Sequence, residues 1–333
     1  MEPLEPENNI EQESNESENF QSQPTILPKP VLMQDEKNWV RKSLISLAIY
    51  GFLFLFIFKT EPIYIAAVLL ALLVHEFGHF FAMKAFNYNN VKMFILPLLG
   101  AYVTGKKTII SQRQMTVVIL AGPIPGIIIG LCLLVYTDSY PNERLQMLGN
   151  IFLGLNFFNL LPFVPLDGGR LLETLFINHN HILKVVFTII SILVLLLFAY
   201  KFQSLFFLII PISMIFDLIM EIKNQKIREY LIQEKINYIT NYDELPDKDY
   251  WTIRDCILLS FNKRYKGVQA GVHQYSFIEG GLIQHIVAVI KTPIIKDLKI
   301  AGTLITFLIF CFFLLLPIIY YIPKIIATVP VAP

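Results

Sequence analysis

The chain has 333 residues, 55% of them hydrophobic and only 16% charged, with 27 Phe and 15 Tyr and a mean hydropathy of +0.56. Soluble domains carry about 45–50% apolar and about 25% charged residues, so a single water-soluble globule is excluded and a polytopic membrane protein with small soluble appendages is expected. A formal net charge of +1, from 27 basic and 26 acidic residues, with no dense basic tract, argues against nucleic acid as a partner. Cys132, Cys256 and Cys311 are too few and too scattered for a disulfide framework or a Cys-x-x-Cys metal clip.

In chain order, residues 1–38 carry nine Asp or Glu against Lys29 and Lys37 and end in a Pro-containing stretch at 24–30. Without the basic start and apolar run of a leader, they read as a disordered acidic cytoplasmic tail. Crossing about 30 Å of hydrocarbon takes about 17–25 apolar residues. Runs of this kind occur at about 43–58, 62–86, 115–136, 145–163, 182–200, 202–220 and 300–322, giving an all-α polytopic membrane protein of about seven transmembrane helices. Lys and Arg collect in cytoplasmic loops. Arg41 and Lys42 precede the first run, and the connection between the second and third carries Lys84, Lys92, Lys106, Lys107 and Arg113 with no acidic residue. This places the N-terminus inside, the loop at 137–144 outside and the segment 221–299 inside, in a bacterial inner membrane. The expected organisation is a core at 39–220 with six spans, a small cytoplasmic α-rich domain at 221–299, and a final transmembrane helix with a short tail at 300–333. Residues 91–104, VKMFILPLLGAYVT, are too short to span and contain Pro97 and Gly100. They suit an extended strand or re-entrant hairpin, which would hold a substrate backbone beside the site or simply pack on neighbouring spans.

The second run contains HEFGH, His75 to His79. On a helix, positions i and i+4 share a face, so His75 and His79 can hold one Zn²⁺ while Glu76 reaches a water on the metal. Zinc makes that water a nucleophile near neutral pH, and the carboxylate moves its proton to the departing amine. A soluble helix could carry the same pattern as a surface ion pair. Inside an apolar span, however, each ionisable residue costs about 2.5–3.5 kcal/mol or more without a partner, which favours a functional site. A catalytic zinc takes three protein ligands, and Asp167 in PLDGGR, just after the fourth run, lies at matching depth. Alone, Asp167-Gly168-Gly169 reads as a capped turn; Asn159, Pro162 and Pro165 upstream break the helix and free backbone groups inside a nominal span.

These residues resemble a family. HEFGH at 75–79, with NLLPFVPLDGGR at 159–170, is similar to the two signature elements of the site-2 proteases, intramembrane zinc metalloproteases, and AGPIPG at 121–126 resembles their Ala-Gly-Pro element. The resemblance covers about residues 62–176. It implies His75, His79 and Asp167 as zinc ligands, Glu76 as general base, and Asn159 as the donor to the polarised carbonyl of the scissile peptide. It further implies regulated intramembrane proteolysis of a membrane-embedded protein or peptide. The alternatives are a non-catalytic zinc-binding membrane scaffold or transport component acting through 221–299, and a zinc transporter or sensor using the same ligands. His179 and His181 are read as loop residues and Glu173 as a solvated helix face, His273 and His285 lack a matching ligand cluster nearby, and Gly122, Pro123, Pro125, Gly126 and Gly130 are read as helix packing and a kink.

Overall fold

A computed structural model describes residues 27–31, 61–96, 100–177, 180–203 and 208–328, with 41, 43–46, 48, 49 and 52 besides. The first long helix, α1 (Pro62–Ala85), starts on Pro62 at its first turn and carries Lys84 at its last, both placements that suit helix ends. An antiparallel hairpin follows: β1 (Asn89–Leu96) pairs with β2 (Gly100–Lys106), in one register from Lys92 opposite Thr104 to Leu96 opposite Gly100 and shifted between Lys92 and Asn89, which lies opposite Lys106. After the two-residue strand β3 (Ile110–Ser111), Ser111 accepts from the Gln114 amide at 3.1 Å and caps α2 (Gln112–Ala121). Gly122 separates α2 from α3 (Pro123–Ser139). Asn142 caps α4 (Glu143–Asn159). A compact turn leads to the short α5 (Asp167–Leu172), extended by a π-helical turn at Glu173–Ile177. Asn180 caps α6 (His181–Phe202), and α7 (Ile209–Gln233) follows. The soluble region adds a 3₁₀ turn (Tyr242–Glu244), α8 (Asp247–Ser260), α9 (Glu279–Val289) and β4 (Ile294–Ile295) before α10 (Ile300–Thr328).

Among the described residues four helical stretches, not about seven, are long and apolar enough to cross a membrane: Pro62–Ala85, Gln112–Ser139, His181–Phe202 and Ile300–Ile326. The expected run at 145–163 falls short because its helix is 17 residues long, or about 26 Å at 1.5 Å per residue. It also opens on Glu143 and Arg144, and breaks after Asn159. The expected run at 202–220 merges into α7, where Asp217, Glu221, Lys223 and Lys226 carry the helix into polar surroundings. Most of the run at 43–58 lies outside the described residues, as does most of the expected tail at 1–38. The all-α polytopic plan and the soluble α-rich region stand; the assignment of membrane sides by counting seven spans does not.

Helix α4 lies along α3, and both pack against α1, while α2 leans on α1 and α5. Ile127, Leu134, Leu153, Leu160 and Leu171 form the buried centre of this bundle. Its outer faces carry apolar side chains such as Phe81, Leu197 and Leu308, the pattern of a surface solvated by lipid rather than water. The soluble region has a separate core of Tyr250, Trp251, Ile253, Ile257, Leu282 and Ile286. It is fastened to the bundle beside the start of α2. Strands β3 and β4 pair in parallel, Ile110 opposite Ile294 and Ser111 opposite Ile295, Arg113 N–H donates to Asp297 at 3.0 Å, and Asn241 Nδ2 donates to the Thr108 carbonyl at 2.6 Å.

Candidate metal centre

One turn apart on α1, His75 and His79 turn their Nε2 atoms toward each other at 3.2 Å. Asp167, the first residue of α5, brings Oδ2 to 3.1 Å from His75 Nε2 and 3.2 Å from His79 Nε2. The cluster is enclosed: His75 is 3% and Asp167 7% exposed.

The outward nitrogens explain why Nε2 faces inward. His75 Nδ1 lies 2.8 Å from Asn156 Oδ1, and Asn156 is itself oriented by donating Nδ2 to the Phe152 carbonyl at 2.7 Å. With its amide nitrogen so engaged, Asn156 offers His75 an acceptor, which requires a proton on Nδ1. His79 Nδ1 lies 2.8 Å from the Val118 carbonyl, which likewise accepts. Both imidazoles in their neutral form therefore present an Nε2 lone pair to the same point, the tautomer used by metal-ligating histidines whose other nitrogen is fixed by an outer partner. The third atom, Asp167 Oδ2, is buried with no hydrogen-bond partner, as is Glu76 Oε2 on the next residue of α1. Two imidazole lone pairs and a carboxylate oxygen within 4.8 Å of one another repel unless a cation or proton lies among them. Two nitrogens and one carboxylate oxygen are a donor set that suits a borderline-soft divalent metal with one position left open.

Close approach of the helices depends on two glycines. A Cβ on Gly122 would stand 2.3 Å from His79 Nε2, and one on Gly126 would stand 2.0 Å from Asn156 Nδ2. Both were expected only to pack helices and form a kink; they also leave room for a cluster histidine and for the residue that orients the other. Asp167 is delivered by the turn after α4, pinned by Val164 N–H donating to Ser191 Oγ at 3.2 Å, while Gln112 Nε2 donates to the Thr174 carbonyl at 2.8 Å and ties α2 to the turn following α5.

Of the five residues expected in the site, His75, His79 and Asp167 converge, and Glu76 is buried beside them. Asn159 is half-buried at the end of α4, its Nδ2 donating to the Leu155 carbonyl at 3.2 Å. Two contributors escaped sequence reasoning: Asn156, fully buried against His75, and the Val118 carbonyl. The first left a signal, a second asparagine one turn before Asn159 inside an apolar run; the second left none, since any residue supplies a carbonyl. The other histidines lie elsewhere. His181 begins α6, His273 stacks on Trp251, His285 sits in the soluble core between Tyr265 and Asn224, and His179 lies outside the described residues. Glu173 pairs with Lys184 at 2.5 Å.

Residues 63–143 match the model of peptidase family M50. A zinc metalloprotease of Methanocaldococcus jannaschii is 31% identical over 121 residues, 34% of each chain. Stage IV sporulation protein FB of Bacillus subtilis is 31% identical over 111 residues, 33% of this chain and 38% of that protein. The matched region thus spans little more than a third of either relative. The solved site-2 protease from Methanocaldococcus jannaschii overlays 53% of this chain and 86% of its own, at 21% identity and a TM-score of 0.40.

Proposed function

We propose, on the premise that the chain belongs through residues 63–143 to peptidase family M50, that it is an intramembrane zinc endopeptidase cutting a peptide bond in or near a transmembrane segment of a membrane-embedded protein. The observation that carries this reading is the convergence of His75, His79 and Asp167 on one point with Glu76 unpartnered beside them, inside a membrane bundle. In this reading His75 Nε2, His79 Nε2 and Asp167 Oδ2 hold Zn²⁺, which when bound supplies Lewis acidity and brings the pKa of a water to about 7. Glu76 takes the proton from the attacking water and passes it to the departing amine nitrogen, which forms the new carboxyl and frees the amine. Asn159, one turn beyond Asn156 on the same face of α4, exchanges its bond to Leu155 for one to the oxygen that gains negative charge in the transition state. Asn156 and the Val118 carbonyl keep the imidazoles aimed.

A helical substrate hides its peptide bonds, so cleavage needs a locally extended backbone. The hairpin β1–β2, packed against α1, is the element suited to receive one by strand addition. Among the described residues no third strand joins this sheet.

Contacts support a membrane sidedness that span counting does not. The basic connection from Lys84 to Arg113 pairs with the soluble region through β3 and β4, and residues 27–31 lie against that region. These contacts support one shared side for all three, and the excess of Lys and Arg in the connection favours reading it as the cytoplasmic side of a bacterial inner membrane.

The test is cleavage of transmembrane peptides by the full chain in proteoliposomes, comparing wild type, Glu76→Gln and wild type treated with a zinc chelator. Cleavage by wild type alone, restored by zinc after chelation, is expected. Equal cleavage by Glu76→Gln, or by chelated protein, would overturn the reading.

A further inference from the structure

We propose that the soluble region is a reader of proline-flanked lysine peptides, and that its resident ligand is the chain's own segment Leu27-Pro28-Lys29-Pro30-Val31. This segment lies more than 200 residues away in sequence, in the part of the chain expected to be a solvated tail, yet it is held by bonds from the groove to its backbone. Trp251 Nε1 donates to the Leu27 carbonyl at 2.6 Å, Tyr275 hydroxyl to Pro28 at 2.5 Å and Tyr242 hydroxyl to Pro30 at 2.7 Å. Prolines have no N–H to offer, and the one amide between them, that of Lys29, donates to Asp247 at 2.9 Å. Aromatic side chains donating to the carbonyls of a proline-stiffened strand are the recognition mode of polyproline-type ligands, whose ordering entropy is lost before binding.

Lysine selectivity has its own device. The Lys29 ammonium is caged by the carbonyls of Tyr242 at 2.7 Å, Asp243 at 2.8 Å and Leu245 at 2.5 Å, all at the 3₁₀ turn and its C-terminal end, and it lies 5.4 Å over the Tyr242 ring. Three acceptors around one compact ammonium match its three donors; a carboxylate there would face three carbonyl oxygens. The aromatic floor is continuous, with Trp251 stacked on Tyr275 and on His273. A groove vacated by the segment leaves the Trp251, Tyr275 and Tyr242 donors without these carbonyls, and it takes up another peptide of the same chemistry. Tethering keeps the resident segment at an effective concentration near the millimolar range, so a peptide added from outside competes poorly until that segment is altered.

The test uses the full chain in detergent and a fluorescein-labelled peptide spanning residues 25–33, read by anisotropy. The triple variant Pro28→Ala, Lys29→Glu, Pro30→Ala is expected to bind the peptide at least 10-fold more tightly than wild type. A peptide with Lys29→Glu should bind at least 10-fold more weakly to that variant, and Trp251→Phe added to it should weaken binding at least 5-fold. Absence of saturable binding to the triple variant, or equal binding of the Lys and Glu peptides, would overturn the proposal. Wild type supplies an independent check that needs no substitution: acylation of Lys29 should run at least 10-fold slower than acylation of the exposed Lys248, and equal rates would overturn the resident occupancy. Neither readout depends on protease activity.

Discussion

The membrane bundle and the soluble region both bury charged and polar side chains, and they treat them in opposite ways. In the soluble region, fully buried Arg254 donates to Glu279 through Nε at 3.0 Å and Nη2 at 3.3 Å. Glu279 also accepts from Tyr250 hydroxyl at 2.5 Å and from Ser276 Oγ at 2.8 Å. Asp255, whose Oδ1 makes no hydrogen bond, still lies 3.8 Å from Arg254 and reaches His273 through Oδ2 at 3.3 Å. In the bundle, by contrast, Glu76 Oε2 and Asp167 Oδ2 are buried among acceptors and lone pairs. Saturated networks hold a fold together. Buried acceptors left facing one another cost free energy that folding alone does not recover, and a cation bound among them would offset that cost.

The contrast breaks most sharply at Glu76. Glu76→Gln should reduce cleavage of a transmembrane peptide by about 10²–10⁴-fold, the usual contribution of a general base, while zinc content measured by mass spectrometry stays unchanged. Parallel loss of zinc would make Glu76 a ligand instead. The counterpart in the soluble region is Arg254→Ala, which strands Glu279 and should destabilise that region by about 3–5 kcal/mol. Denaturant unfolding should register the loss, and a variant as stable as wild type would show the network to be ornamental.

Smaller effects sharpen the same distinction. Asn156→Leu removes the acceptor that fixes His75 and should weaken zinc affinity by about 10–100-fold, measurable by chelator competition. The least is expected from acid. His285 is buried between Asn224 and Tyr265, and burial, helped by the charge of Arg264, pushes its pKa down from 6.5 to about 4. The neutral form is the one the fold favours, so its contribution is complete above about pH 6.5 and fades as pH falls toward about 4. The melting temperature of the soluble region should drop across that window, and His285→Gln should flatten the drop.

What was legible in the sequence was the cluster of His75, His79 and Asp167 rather than the architecture. HEFGH on an apolar helix and an aspartate beyond a proline-broken run name three converging side chains, because i, i+4 spacing and the cost of ionisable groups in lipid are local facts. The count of spans was not legible, because hydropathy reads apolar length alone. It does not register that α4 opens on Glu143 and Arg144 and breaks after Asn159, or that α7 continues past Met220 into water. Nor could spacing show that residues 27–31 lie on the soluble region, since that contact depends on groove residues more than 200 positions away. Asn156 stood in plain view, but only the path of α4 past α1 tells which of two asparagines on one face meets His75.

The account rests on three atoms from α1 and α5 sharing one ion. Its most direct measurement is the zinc stoichiometry and X-ray absorption spectrum of the zinc-loaded full chain, set beside Asp167→Ala. One zinc per chain, with two imidazole nitrogens and one carboxylate oxygen at about 2.0–2.2 Å and the carboxylate contribution lost in the variant, is the predicted result. A wild-type chain that takes up no zinc, or one whose spectrum is unchanged by Asp167→Ala, would contradict it.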